Sequence, residues 1–461
     1  MALRFLAGAM GIPFIPTNSS LGSDIVAKWG FSVSPKLLVV KNGFKPSGNE
    51  EVILLPAINP EVTILHVQKV DTEGNVRIEG LTFADVEQAK AARSLIVTTE
   101  EIVENTALRS QPQLNQIPSF FVDAVVKVPK GAHPTQCFNY YDVHTEFLYD
   151  LLKASRSDEG IATFLERHVF GVKDHDEYLE RLDKRILHEI SATPCMGYCA
   201  TLDRRKETPA NKKKPVSSLT YSSTELMAIV AAREIKDTDI VFCGTGLPII
   251  AACAAKELYA PQSVLLFETG AIDPVIFDLP MFVADSRVMV GSAVNSGLID
   301  ALSILQNKKI GRRIVAILGA AQIDELGNLN STSIGDYRRP KSRLAGSGGA
   351  ADAASLAGKT IVFMKHEKRR FVKKLDYLTS PGWVKGEDGD SAGLRPGGVS
   401  KVITDRCVLG FREGDRKMVV SEYYPGVKLD EIIANTGFEL DTSSAKETEP
   451  PSQEELEIIR E

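Results

Sequence analysis

The pattern Asp-x-x-Gly-Asn occurs twice, each time where an apolar run ends. One copy closes the stretch Ile64 to Asn75 with Asp71, Gly74 and Asn75; the other closes Leu318 to Asn328 with Asp324, Gly327 and Asn328. All three positions are shifted by one constant interval. Glycine and asparagine tolerate positive φ and build tight turns, so a single copy is an ordinary hairpin signal. Two copies after similar strands point to two related units in tandem. Around them, short β-rich runs alternate with helical stretches. Strands are predicted at Leu37–Val40, Val62–Val70 and Leu95–Thr99, and again at Ile240–Cys243, Ser263–Phe267, Arg313–Leu318 and Thr360–Met364. Helices are predicted at Phe83–Ala92, Glu146–Lys153, Ser222–Glu234 and Pro248–Leu258, with Ser222 and Glu225 at the spacing of a capping box. Such alternation predicts an α/β fold: two tandem, related open domains with mainly parallel sheets covered by helices.

The clearest break is Asp203 to Ser218, a polar basic run with two prolines and no apolar period. It divides the chain into a first domain, 1–200, a basic linker, 201–218, a second domain, 219–441, and an acidic tail, 442–461, expected to pack loosely. The opening run Phe5 to Ile15 follows Arg4 and has some character of a signal peptide. Pro13 and Pro16 interrupt it and it is too short to span a bilayer, so it is expected to be a strand-and-turn segment. A net charge of −6 argues against a nucleic-acid partner, and no membrane partner is expected. Of six cysteines only Cys195 and Cys199 lie close together, which predicts reduced thiols in a cytoplasm and no metal site.

Ser263 to Gly270 sets one carboxylate, Glu268, directly after an apolar strand and just before a glycine. An unpaired carboxylate at a buried strand end costs several kcal/mol or shifts its pKa, and open α/β sheets bind ligands at the carboxyl ends of their strands. Glu268 therefore reads as a nucleophile. Gly244-Thr-Gly246-Leu247-Pro248 is a strand, a glycine turn and a helix start, a seat for an anion or simply a tight turn. It lacks the third glycine of a dinucleotide fingerprint. Gly346, Gly348 and Gly349 precede a small-residue helix, where backbone must approach something closely. The charge runs Ser331 to Lys341 and His366 to Arg370 suit ion-pair networks or an anionic ligand. Neither a Ser-His-Asp nor a Cys-His nor a paired-histidine spacing is present, which leaves a carboxylate as the best-placed nucleophile.

Taken together these stretches carry a resemblance. Gly244–Pro248, Phe267-Glu-Thr-Gly270, Ala321–Asn328, Ser331–Tyr337, Gly346–Ala350, His366–Phe371 and Thr379–Trp383, in that order, resemble the β subunit of class I (glutaconate-type) coenzyme A transferases. Gly11–Pro16, Leu21–Asp24, His66–Asn75 and Val122–Val128 are similar to the latter part of the family's α subunit. The resemblance implies two fused subunits, with the N-terminal part of the α half missing. It implies a coenzyme A transferase acting on an acyl-CoA and a carboxylic acid of the glutaconate, dicarboxylate or 3-oxoacid type, working as a homo-oligomer. Coenzyme A is then a substrate, with no permanently bound cofactor. Glu268 would attack the acyl-CoA, and Gly244, Gly246, Leu247, Gly348 and Gly349 would bind coenzyme A or an oxyanion. Thr269 departs from the family's usual residue. Two alternatives stay open: an acyl-CoA or ring-opening hydrolase on the same fold, whose members lack the glutamate, and a non-catalytic coenzyme A-binding homologue.

Overall fold

The computed structural model describes residues 1–27, 37–44, 50–193, 196–199, 220–307, 309–383 and 397–460. The linker expected at 201–218 lies outside the described residues.

In the first half, strand Val62–Asp71 pairs in parallel with Ser94–Val103, which pairs in parallel with Ala124–Lys127; Val76–Arg77 turns back antiparallel on the outer side. Helix Asp85–Ala91 makes the crossover between the two long strands. In the second half a ten-stranded sheet has a parallel centre in the order Val264–Leu266, Ile240–Phe242, Ile314–Gly319, Lys359–Met364, Val399–Thr404. Numbered along the chain that order is 2-1-3-4-5, a doubly wound sheet whose direction reverses beside Ile240–Phe242. Cys407–Phe411 and Met418–Tyr423 extend it antiparallel. Ile314 to Leu318 are all buried, as a strand covered on both faces requires.

The two Asp-x-x-Gly-Asn turns match almost atom for atom. Asp71 Oδ1 accepts the amides of Glu73 and Asn75 at 3.0 and 2.8 Å, and its Oδ2 accepts Asn75 Nδ2 at 2.9 Å. Asp324 accepts Leu326, Asn328 and Asn328 Nδ2 at 3.0, 3.0 and 2.9 Å. Gly74 and Gly327 hold φ of +93° and +77°, which a side chain would strain. Each asparagine then ties down a distant segment through its Oδ1: Asn75 accepts the Ser119 amide, and Asn328 the Gly382 amide. The duplicated sequence therefore folds as a duplicated structural unit.

The opening segment differs from expectation: Ala2–Ala9 is a helix, followed by strand Phe14–Thr17. Its residues are mostly good helix formers, and Pro13 and Pro16 fall beyond the helix end, where they cost it nothing. The tail also departs from the loose packing expected. Gln453–Arg460 forms a helix with Glu455 and Leu456 buried. Arg233 grips the Glu455 carboxylate with two bonds of 2.7 and 2.8 Å, and Arg460 Nε reaches Glu225 at 2.7 Å. Helix Ser223–Arg233, apolar on every side from Leu226 to Ala232, needs that cover. Its capping box, Ser222 with Glu225, is formed as expected.

Several contacts join the halves. Arg287, 5% exposed, bonds Asp142 and Asp285, both fully buried, at 3.2 and 3.1 Å, and lies 4.2 Å over the Tyr198 ring. Asp24 and Leu378 exchange two hydrogen bonds of 2.8 and 2.9 Å. Among the described residues, no helix is long and apolar enough to cross a membrane.

Candidate active site

Strand Val264–Leu266 runs into the fully buried Phe267, and the chain reverses at once: the Gly270 amide bonds the Phe267 carbonyl at 3.0 Å. Glu268 sits at the tip of that turn, at the carboxyl edge of the sheet. The turn requires glycine at 270 twice over. Its φ is +111°, and a Cβ there would lie 1.9 Å from the Ser296 carbonyl oxygen. Phe267 fixes the base of the turn, since burying a phenyl ring is worth about 1.5–3 kcal/mol.

The glycine loop before helix Ala350–Leu356 meets the carboxylate. Gly349 N–H donates to Glu268 Oε2 at 3.1 Å. A Cβ on residue 349 would stand 2.6 Å from that oxygen, so the bare backbone is what admits the carboxylate. Burial pushes the Glu268 carboxyl above the ordinary glutamate value; the Gly349 amide pulls it back, and nearby Asp352 pushes it up again.

Glu268, Ser347, Gly348 and Gly349 line a cavity of about 340 Å³ that both halves enclose. That volume suits a small ligand or the reactive end of a larger one. Helix Ala2–Ala9 contributes the buried Arg4, whose Nε donates to the Pro56 carbonyl at 2.7 Å. Helix Leu298–Gln306 supplies an apolar wall through Leu298, Ile299 and Leu302. The other glycine loop stands apart: Gly244, Gly246 and Leu247 follow the adjacent strand Ile240–Phe242 and are not among the residues lining this cavity. Gly246, with φ of +79°, starts helix Leu247–Leu258, and a Cβ on it would meet nothing within 4 Å. The fold thus brings Glu268, Gly348 and Gly349 together and sets the Gly244–Leu247 turn on the neighbouring strand end.

Of the two charge runs, that from His366 to Arg370 is tied into the fold at His366 and Glu367. His366 is 1% exposed, stacks on Phe371 at 4.2 Å and donates its amide to Asp405. Glu367 pairs with Arg369 and Arg370. Two residues escaped the sequence reading. Asp352 enters the same cavity, and Ser19, from the first half, donates its hydroxyl to Asp352 Oδ1. A carboxylate on an otherwise alanine-rich buried helix was a readable signal for Asp352. Nothing local marks Ser19, whose partner lies far along the chain.

A half-buried carboxylate, bonded by a backbone amide at the carboxyl edge of a doubly wound sheet and facing a cavity, marks the class of molecule: an α/β protein with its candidate site at the strand ends. The chain belongs to the Coenzyme A transferase family, whose sequence pattern matches residues 1–128 and 224–435. It is 41% identical over 245 residues to the B subunit of glutaconate CoA-transferase from Acidaminococcus fermentans, a match covering 52% of this chain and 92% of that relative. It is 39% identical over 211 residues to the A subunit of the same organism's enzyme, a match covering 44% of this chain and 65% of that relative. The chain thus spans just under two thirds of the second of these relatives. A crystal structure of an acyl-CoA transferase from Escherichia coli O157:H7 superposes with a TM-score of 0.64 and 17% identity, over 97% of this chain and 74% of that one. That likeness concerns the fold. The two matches to the glutaconate enzyme fall on different parts of the chain and are consistent with a fused class I transferase.

Proposed function

We propose that this protein moves coenzyme A from an acyl-CoA to a carboxylic acid by ping-pong catalysis on Glu268. Glu268 attacks the thioester carbonyl and expels the thiolate, leaving a mixed anhydride. The thiolate then attacks the glutamyl carbonyl, releases the acid and leaves an enzyme–CoA thioester; an incoming carboxylate reverses both steps. The observation that carries this reading is the Glu268 carboxylate at 3.1 Å from the Gly349 amide, in a cavity of about 340 Å³. Its raised basicity favours nucleophilic attack.

Each tetrahedral intermediate needs donors for its oxyanion, worth about 3–4 kcal/mol apiece. The amides of Gly348 and Gly349 are the nearest candidates, with Gly244, Gly246 and Leu247 offering a second set on the adjacent strand. Short dicarboxylic or 3-oxo acids are the proposed acyl groups, on the strength of the identity to both parts of the glutaconate enzyme. We read residues 1–200 and 219–441 as the α-like and β-like domains, joined by 201–218, and a homo-oligomer of fused units as the working assembly. Incubation with glutaconyl-CoA and acetate tests the reading. Acetyl-CoA should form in the native protein and not in Glu268→Ala; free acid and CoA released at the same rate without acetate would mark a hydrolase instead.

A further inference from the structure

Glu268 does not face the cavity alone. Asp352 adds a second carboxylate there, one turn beyond Gly349 on a helix whose other members are alanine, serine and leucine. Its Oδ1 accepts the hydroxyl of Ser19, which comes from the opposite half. The two acids therefore flank Gly349, one taking its amide and the other held by a serine across the cleft. Among the described residues, the remaining charged side chain on the cavity wall is Arg4.

We propose that Asp352 is a positioning residue that biases Glu268 toward its coenzyme A thioester, and that the Ser19 hydroxyl holds the Asp352 carboxyl in place at the cavity wall. This rests on Glu268 being the acyl acceptor. In the exchange, the acyl C–S bond breaks, a Glu268 C–S bond forms, and one Glu268 oxygen departs on the released acid, which carries the negative charge away. No proton or electron is gained or lost. Glu268 is charged in the free enzyme and neutral in the thioester, so a fixed negative neighbour disfavours the free form only. Burial, opposed by the Gly349 amide and aided by Asp352, raises Glu268. Burial raises Asp352 as well, and the Ser19 hydroxyl opposes that rise. Ser19 thus steadies the carboxyl that stands beside Gly349 and Glu268.

The test equilibrates the full chain with glutaconyl-CoA and glutaconate at one fixed ratio and reads the proportion of CoA-bearing to free protein by intact mass. Asp352→Asn should lower that proportion about tenfold, the equivalent of one pKa unit. Ser19→Ala should lower it in the same direction by less, and it keeps the question open to decision should Asp352→Asn fold poorly. An unchanged proportion in either well-folded variant overturns the proposal and assigns Asp352 a packing role. Glu268→Ala separates the two levels of the argument: it should carry no CoA, and an adduct there overturns the underlying assignment as well.

Discussion

Gly349→Ala probes the site with a single methyl group. The backbone at 349 has φ −81° and ψ 2°, which alanine adopts without strain. The added Cβ would stand 3.4 Å from Phe242 Cζ and 3.5 Å from Leu302 Cδ2, ordinary contacts, but 2.6 Å from Glu268 Oε2. Only the carboxylate is displaced, by roughly 0.8 Å if a normal contact is to be restored. A misplacement of about 1 Å at a reacting group can slow chemistry about 100-fold, and distorting the amide bond to a carboxylate adds about 1.5–3 kcal/mol at most. Stability should hardly change, since the small cost of alanine at a helix start is offset by reduced freedom of the unfolded chain. The assay is the rate of CoA adduct formation under single-turnover conditions, with thermal unfolding alongside. A 30- to 300-fold slower adduct at nearly native melting temperature is expected, on the order of the misplacement effect. Native-rate adduct formation by the alanine variant would refute the geometry argued for Glu268 and its glycine.

Arg287→Ala should destabilise the protein by about 3–5 kcal/mol in chemical denaturation, because it leaves Asp142 and Asp285 buried without their shared cation; a loss under 1 kcal/mol would mean that water reaches them. Burial alone would raise the Glu455 carboxyl, but the Arg233 guanidinium, the Tyr259 hydroxyl and the Ser452 amide outweigh it and hold it at about 2. Its folded value is thus depressed, so the stabilisation is complete above about pH 4.5 and fades as the pH falls toward 2. The amount at stake is about 3 kcal/mol, and the acid limb of the unfolding free energy should flatten in Glu455→Gln.

The sheet strands and Glu268 were legible because their signals are local: apolar runs of strand length, a glycine turn, and a charge with no reason to end a buried strand. The duplicated Asp-x-x-Gly-Asn turn was legible for the same reason, since every bond of Asp71 or Asp324 in the turn stays within five residues. What escaped depends on distant partners. Ser19 meets Asp352 across 333 positions, and Arg233 meets Glu455 across 222, so neither the cleft wall nor the docked tail leaves a trace in any short window. The opening helix escaped because one proline stands in the apolar run and another just after it, yet both lie past the last helical residue, Ala9. Apolar periodicity cannot decide between strand and helix over so few residues. The distance of the Gly244–Leu247 turn from the cavity lining is likewise set by sheet order, which spacing along the chain does not encode.

A covalent coenzyme A intermediate on Glu268 can be sought by mass spectrometry of peptides after mixing the protein with glutaconyl-CoA. Coenzyme A should be attached to the peptide that contains Glu268, discharged by added acetate and absent from Glu268→Ala. Turnover without any adduct, or an adduct on another residue, would contradict it.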